Sequence, residues 1–300
     1  MKIVECVPNF SEGRRKEVID EIMAEVKKFD VRIMDYSPDA DHNRTDVTLM
    51  GEPEEVKKAA LAMSMKAVEL IDMNKHRGEH PRMGAMDVVP FIPLMGTTMD
   101  ECIELAKQFA SEFSEKSGVP CYLYEEAATR PDRKNLVNIR RGEFEGLKEE
   151  IGKNDDKKPD YGPNRIHPTA GATAVGARFF LIAFNVNLAT GDISIAKSIA
   201  KAVRHSSGGY RYVKAMGFEI KERGIVQVSM NMVNYRGTPL FRVFETVKRE
   251  AARYGINVMG SEIVGLVPME ALTDVVDFYL RLEKFDMEQV IEKRLLEQIK

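Results

Sequence analysis

The chain has 300 residues, enough for two ordinary domains or one large one, and 44% apolar with 30% charged residues is a globular composition with a sizeable core. Forty-four lysines and arginines against 47 aspartates and glutamates leave a formal charge of −3, which excludes a generally basic nucleic-acid coat and a disordered acidic tail. No apolar run approaches the roughly 20 residues that cross a bilayer, and Cys6, Cys102 and Cys121, without short spacing, suit a reducing cytosol and fall short of a zinc site.

Taken in chain order, the amino terminus lacks a secretory apolar region, and Ile3 to Val7 reads as a strand closed by Pro8-Asn9. The expectation is a cytoplasmic, two-lobed protein. Arg15 to Phe29 places Val18, Ile19, Ile22, Met23 and Val26 on one helical face. Val31 to Met34 and Asp46 to Met50 read as strands separated by a polar, acidic loop. Pro53 opens a helix that carries Val56, Ala59, Ala60, Met63, Ala67 and Leu70 inward. A loop rich in His, Arg, Gly and Pro precedes the strand Val88 to Leu94. Thr98 caps a helix over Met99 to Ser117 that Gly118 stops, and Tyr122 to Tyr124 lies in a further strand.

Glu143 to Asp160 is dense in charge and reads as a helix followed by a solvated linker. The second half repeats the order. Phe179 to Leu188 is strand-like, Ile193 to about Val203 helical, and Tyr212 to Ile220 and Ile225 to Met232 are strands. Leu240 to Tyr254 is an amphipathic helix ended by Gly255, Ile256 to Val267 is strand-like, and helices over Ala271 to Lys284 and Met287 to Ile299 follow. Each half contains strand–helix–strand–strand–helix–strand, the split βαβ order of a ferredoxin-like unit. The predicted fold is α+β, with two lobes at 1–177 and 178–300. Each lobe would be a sheet with helices on one face and the other face free.

Three kinds of segment could carry chemistry. In Asn74-Lys75-His76-Arg77-Gly78-Glu79-His80-Pro81-Arg82-Met83-Gly84-Ala85 two histidines lie four apart, but Glu79 is misplaced for a zincin and Gly78 and Pro81 oppose a continuing helix. The alternatives are a metal pair, a solvated turn, or a rigid loop holding one imidazole base between guanidiniums that fork onto a substrate carboxylate. Asp35 to Thr45 holds Asp39, Asp41 and His42, with residues suited to a turn, to a hard cation, or to orienting a neighbouring histidine. The loops Gly162 to Gly171 and Ser206 to Tyr212 are candidates for holding a flat heterocycle, or ordinary loops. Gly171-Ala172-Thr173-Ala174-Val175-Gly176-Ala177 is permissive backbone that matches no phosphate loop.

Four stretches together are specific: Val4-Glu5-Cys6-Val7-Pro8-Asn9-Phe10-Ser11-Glu12-Gly13, His76-Arg77-Gly78-Glu79-His80-Pro81-Arg82-Met83-Gly84, Phe180-Leu181-Ile182-Ala183-Phe184-Asn185-Val186-Asn187-Leu188 and Gly260-Ser261-Glu262-Ile263-Val264-Gly265-Leu266-Val267-Pro268. They resemble the glutamate formiminotransferases, folate-dependent enzymes of histidine breakdown, from about residue 3 to about residue 285. The resemblance implies two α/β subdomains facing each other across a tunnel, in a homodimer. It implies transfer of the formimino group from N-formimino-L-glutamate to N5 of tetrahydrofolate as co-substrate, without a metal. Larger members carry a fused cyclodeaminase domain. This chain looks like the stand-alone form, with a separate cyclodeaminase acting next.

The same resemblance places the catalytic base on His80. A family carboxylate falls ahead of Asn43-Arg44-Thr45, where Ser37 holds the ungapped position and Asp39 or Asp41 would serve through a shifted loop. Asp39 is taken as the candidate. Arg44 and Arg82 would hold substrate carboxylates, with Gly84 beside them. Folate contacts fall on Gly162-Pro163-Asn164-Arg165-Ile166-His167-Pro168-Thr169-Ala170-Gly171 and on Gly208-Gly209-Tyr210-Arg211-Tyr212-Val213-Lys214-Ala215-Met216-Gly217. Two rival readings are a paralogue that handles formyl groups and a non-catalytic folate-binding protein.

Overall fold

Pro8 has no amide to give a ladder and splits the first strand into β1 (Val4–Cys6) and β2 (Asn9–Phe10). Both pieces sit between the same neighbours, β4 (Arg44–Gly51) and β5 (Met86–Pro93). The computed structural model describes residues 2–79 and 81–298, and these form two compact units, residues 1–178 and 179–300.

In the first unit, β3 (Val31–Asp39) pairs with β4 in a long hairpin that turns at residues 40–43. The order β3-β4-β1/β2-β5, with α1 (Lys16–Val26) and α2 (Pro53–Leu70) as crossovers, is the expected split βαβ arrangement. The strand over 31–34 runs on to Asp39, where a loop is expected. It is an edge strand, so polar residues can face water on both sides, and a bulge between Ile33 and Asp35 breaks the apolar alternation. Two further strands extend the sheet in parallel. After α3 (Met99–Ser117) and β6 (Cys121–Glu125), the chain returns as β7 (Thr173–Ala177), which inserts between β5 and β6. The permissive stretch 171–177 is therefore largely a buried central strand. Its residues are small because Tyr124 lies against it: a Cβ on Gly176 would come within 2.6 Å of the tyrosine ring.

Helices α1 to α3 bury Ile22, Met63, Phe109 and Phe113 against Val4, Cys6, Leu49 and Phe91 on one face of this sheet. The capping box expected at Thr98 forms, with Glu101 N donating to Thr98 Oγ1 at 3.2 Å and Thr98 N to Glu101 Oε2 at 2.8 Å. The other face is not wholly free. The short helix α4 (Leu136–Ile139) and α5 (Glu143–Glu150) lay Ile139, Leu147 and Ile151 over Val88, Tyr122, Tyr124 and Ala174. The charged stretch at 143–160 forms the expected helix and then a mostly exposed run over 152–158, but it does not link the two units. It closes with a buried ion pair, Arg133 Nη1 to Asp160 Oδ2 at 2.7 Å, inside the first unit.

The second unit follows the sequence closely. Strands β8 (Ile182–Leu188), β9 (Val213–Ile220), β10 (Ile225–Met232) and β11 (Val258–Val264) form an antiparallel sheet in the order β11-β8-β10-β9. Helices α6 (Ile193–Val203), α7 (Leu240–Ala252) and α8 (Met269–Leu280) follow β8, β10 and β11, and α9 (Ile291–Gln298) ends the described chain. Val186, Val228 and Met230 meet Ile199, Val203, Val243 and Val247 in the core. Both sheets have the α+β architecture expected.

Candidate active site

Glycine lets residues 76–79 pass against the β3–β4 turn: a Cβ on Gly78 would lie 2.1 Å from His42 O. Asn43, at φ 51°, fastens three segments at that crossing. Its Oδ1 accepts from Gly13 N at 3.0 Å, and its Nδ2 donates to Arg77 O at 2.9 Å. Glu79 N donates to Asp41 O at 3.3 Å. The result is a narrow pocket lined by Asn9, His42, Arg44, His76, Arg82 and Asp87, among others.

His76 is an anchor in this pocket. Its Nε2 lies 2.8 Å from Asn43 O, so that nitrogen carries the proton, and its Nδ1 receives Arg82 Nε at 3.4 Å. Burial holds its pKa below the ordinary 6.5 and the ring stays neutral. It is not a solvated turn residue, and both of its ring nitrogens have protein partners. Among the described residues, no group of three or more His, Cys, Asp or Glu could hold a metal ion.

Arg82 differs from its expected role. Its fork is taken by the protein: Nη2 donates to Glu145 Oε1 at 2.7 Å, and Nη1 to Glu145 Oε2 at 2.9 Å and Glu143 Oε2 at 2.5 Å. Arg82 is 8% exposed. It fixes residues 81–84 to α5 and offers no open fork to a substrate. Asp87 secures the next residue, accepting Met83 N at 2.8 Å through Oδ1 while Oδ2 pairs with Arg140. Arg44 lies at the pocket, its Nη2 donating to Asn9 Oδ1 at 2.5 Å and pairing with Asp46.

Asp39 ends β3, and its carboxylate holds the turn that follows. Oδ1 accepts the amides of Asp41 and His42, each at 2.9 Å, and Oδ2 holds His42 Nδ1 at 2.6 Å. The His42 amide and ring keep its carboxyl below the usual carboxylate range, so it is ionised. Ser37 is also on β3, paired with Asp46. His80, the expected base, lies outside the described residues.

Gly84 is a backbone crossing. A Cβ there would lie 2.1 Å from Ala172 O, and its carbonyl accepts Ser11 Oγ at 2.8 Å. The segment 162–171 runs beside it. Gly171, at φ 75°, would drive a Cβ to 2.2 Å from Met83 O. His167 and Gly171 exchange backbone bonds at 3.1 and 3.2 Å, and His167 Nδ1 accepts Ala170 N at 3.0 Å. Pro168 O and Thr169 O bind Asn74 Nδ2 and Met73 N, at 2.9 and 2.7 Å. Arg165 is exposed, Ile166 half-buried. The other expected segment, 208–217, belongs to the second unit. Gly208 sits at φ 93°, Tyr210 OH bonds Thr246 Oγ1 at 2.7 Å, and Arg211 lies over the Tyr212 ring at 5.3 Å. Val213, Ala215 and Gly217 face α6, while Lys214 and Met216 are exposed on the opposite face of β9.

Several residues escape sequence reasoning, among them Asn9, Asn43, Asp87, Glu143 and Glu145. One signal was readable. Glu5 stands between Val4 and Cys6 in a buried strand, and burial pushes its carboxyl up to about 7, partly offset by Arg178.

A split-βαβ sheet with a side-chain-braced pocket of imidazole, carboxylate and guanidinium groups is the make-up of an α+β enzyme for a small polar substrate. The chain belongs to the formiminotransferase family: the formiminotransferase domain, N-terminal subdomain, matches residues 3–178, and the formiminotransferase domain matches residues 183–298. It is 53% identical over 297 residues to the glutamate formimidoyltransferase of Streptococcus pyogenes serotype M1, covering 98% of this chain and 99% of that one. The glutamate formimidoyltransferase of Thermoplasma acidophilum is 48% identical over 298 residues, covering 98% of each. The formimidoyltransferase-cyclodeaminase of Dictyostelium discoideum is 44% identical over 302 residues, which cover 98% of this chain and 56% of that protein.

Proposed function

We propose that this chain moves the formimino group from N-formimino-L-glutamate to N5 of tetrahydrofolate, giving 5-formiminotetrahydrofolate and glutamate in histidine degradation. The observation that carries this reading is the full-length identity to the two glutamate formimidoyltransferases. N5 loses a proton as it attacks the formimino carbon, His80 accepts it, and the imidazolium then protonates the departing glutamate nitrogen. Asp39, ionised and bound to His42, supplies negative charge at the pocket. Arg44 takes a substrate carboxylate, and Arg82 acts through the chain it fixes. Residues 162–171 and 208–217 are the folate-contacting segments. The proposal extends to a cytoplasmic homodimer whose product passes to a separate cyclodeaminase. The fused relatives, such as the one from Dictyostelium, support that succession.

The test is turnover of the purified chain with tetrahydrofolate and either formiminoglutamate or formylglutamate. Transfer from the formimino donor is expected; transfer from the formyl donor alone would overturn the reading. His80→Ala should lower kcat roughly a hundredfold or more, the usual worth of a placed acid–base group. Near wild-type turnover in a folded variant would remove His80 from the mechanism.

A further inference from the structure

Strand interiors favour β-branched and aromatic residues and disfavour asparagine, yet the centre of the second unit's sheet carries Asn185 and Asn187 on β8 and Gln227 on β10. All three are buried, at 9%, 7% and 8% exposure, on the face opposite the helices. Register aligns them with further residues of the same face. One row runs Phe218, Gln227, Asn187, Gly260; the next runs Met216, Ser229, Asn185, Glu262. Lys214 belongs to a third row, opposite Asn231.

The amides converge on one carboxylate oxygen. Asn185 Nδ2 donates to Glu262 Oε1 at 3.0 Å, and Gln227 Nε2 donates to the same oxygen and to Asn187 Oδ1, both at 2.9 Å. Glu262 Oε2, Asn187 Nδ2, Asn185 Oδ1 and Gln227 Oε1 have no hydrogen-bond partner among the described residues. None of these atoms is sealed from solvent without a partner. Gly260 contributes no side chain and leaves open space beside the carboxylate, while Phe218 and Met216 stand exposed at the other end of the two rows. The face therefore offers a pre-oriented carboxylate, an outward amide donor and an apolar border. That set complements a flat heterocycle whose edge carries two adjacent N–H donors and a carbonyl acceptor.

We infer that Glu262, held by Asn185 and Gln227 and assisted by Asn187, recognises the 2-amino-4-oxopyrimidine edge of the pterin. This rests on the tetrahydrofolate reading above. The ring's N3–H and 2-amino group donate to the Glu262 carboxylate, and its 4-oxo group accepts from Asn187 Nδ2. A carboxylate would equally pair with the planar N–C–N donors of the formimino group. Two observations favour the pterin: three amides plus a carboxylate exceed what a one-carbon group needs, and Lys214 and Met216, of an expected folate segment, share this face.

The experiment measures binding of 5-formyltetrahydrofolate to wild type and Glu262→Gln by calorimetry, with KM for both substrates alongside. Glu262→Gln is isosteric and lies on an exposed strand, and Asn187→Ala serves as a second probe should it misfold. Expected are a rise of at least tenfold in Kd and in the tetrahydrofolate KM, an unchanged formiminoglutamate KM, and a small change in kcat. A folate analogue lacking the 2-amino group, which keeps only the N3–H donor to Glu262, should lose less affinity on Glu262→Gln than the parent folate does. Unchanged folate affinity in both variants overturns the inference, as does a raised formiminoglutamate KM with folate binding intact. Absence of transfer by the wild-type chain refutes the functional reading instead, and calorimetry still reads the pterin contact.

Discussion

Glu5 tests whether burial on β1 governs the stability of the first unit. Its carboxyl is 3% exposed in a strand paired on both sides, and its pKa rises from 4.5 to about 7. The folded protein keeps a proton that the unfolded chain releases near 4.5. The stability this supplies is whole below pH 4.5 and is lost as pH rises through 7, with most of the loss between those values. At about 1.4 kcal/mol per tenfold step in proton affinity, the gap amounts to about 3 kcal/mol at pH 8. Glu5→Gln keeps the shape and hydrogen-bonding capacity without the charge. It should match wild type near pH 4.5 and exceed it by about 3 kcal/mol at pH 8. Urea unfolding followed by far-ultraviolet circular dichroism across that range is the assay. A difference that stays constant with pH, or a less stable glutamine variant at pH 8, would refute the reasoning.

Arg82→Lys keeps the charge but cannot span Glu143 and Glu145. It should cost about 2 kcal/mol, because those carboxylates remain partly solvated, and lower Tm by roughly 5 °C. An unchanged Tm with a raised formiminoglutamate KM would return Arg82 to the substrate. His76→Ala leaves Asn43 O and Arg82 Nε without a buried partner and should cost about 2–3 kcal/mol. Since the wild-type ring is held neutral, its stability contribution is full above pH 6.5 and falls as the solution is acidified. The variant should show a shallower acid dependence in the same unfolding assay, and an identical slope would contradict the neutral anchor.

What could be read in the sequence was what repeats with the period of an element. Ile22, Met63, Phe109 and Val247 announced their helices because burial selects one helical face. β7 gave no such signal. It is buried on both faces and must admit Tyr124, so its residues are small where a strand is normally branched. The pocket was half legible. The segment 76–84 and the turn at 39–44 stood out by composition, but which charges answer one another depends on long-range contacts. Arg82 and Glu145 lie 63 positions apart, and only the fold makes the arginine a brace. The amide cluster at Asn185, Asn187 and Gln227 escaped sequence reasoning. Its meaning required the register that sets them side by side.

The insertion of β7 between β5 and β6 also orders events at the ribosome. β5 is made by residue 93 and β6 by residue 125, yet the strand that joins them is complete only at residue 177. Until then, one edge of β5 and one edge of β6 lack their ladder partner, and such edges invite pairing with other chains. A nascent chain halted between residues 125 and 172 should therefore aggregate or recruit chaperones, whereas one released just after residue 178 carries a closed first unit. Synthesis thus seals the first unit at the point where the second begins.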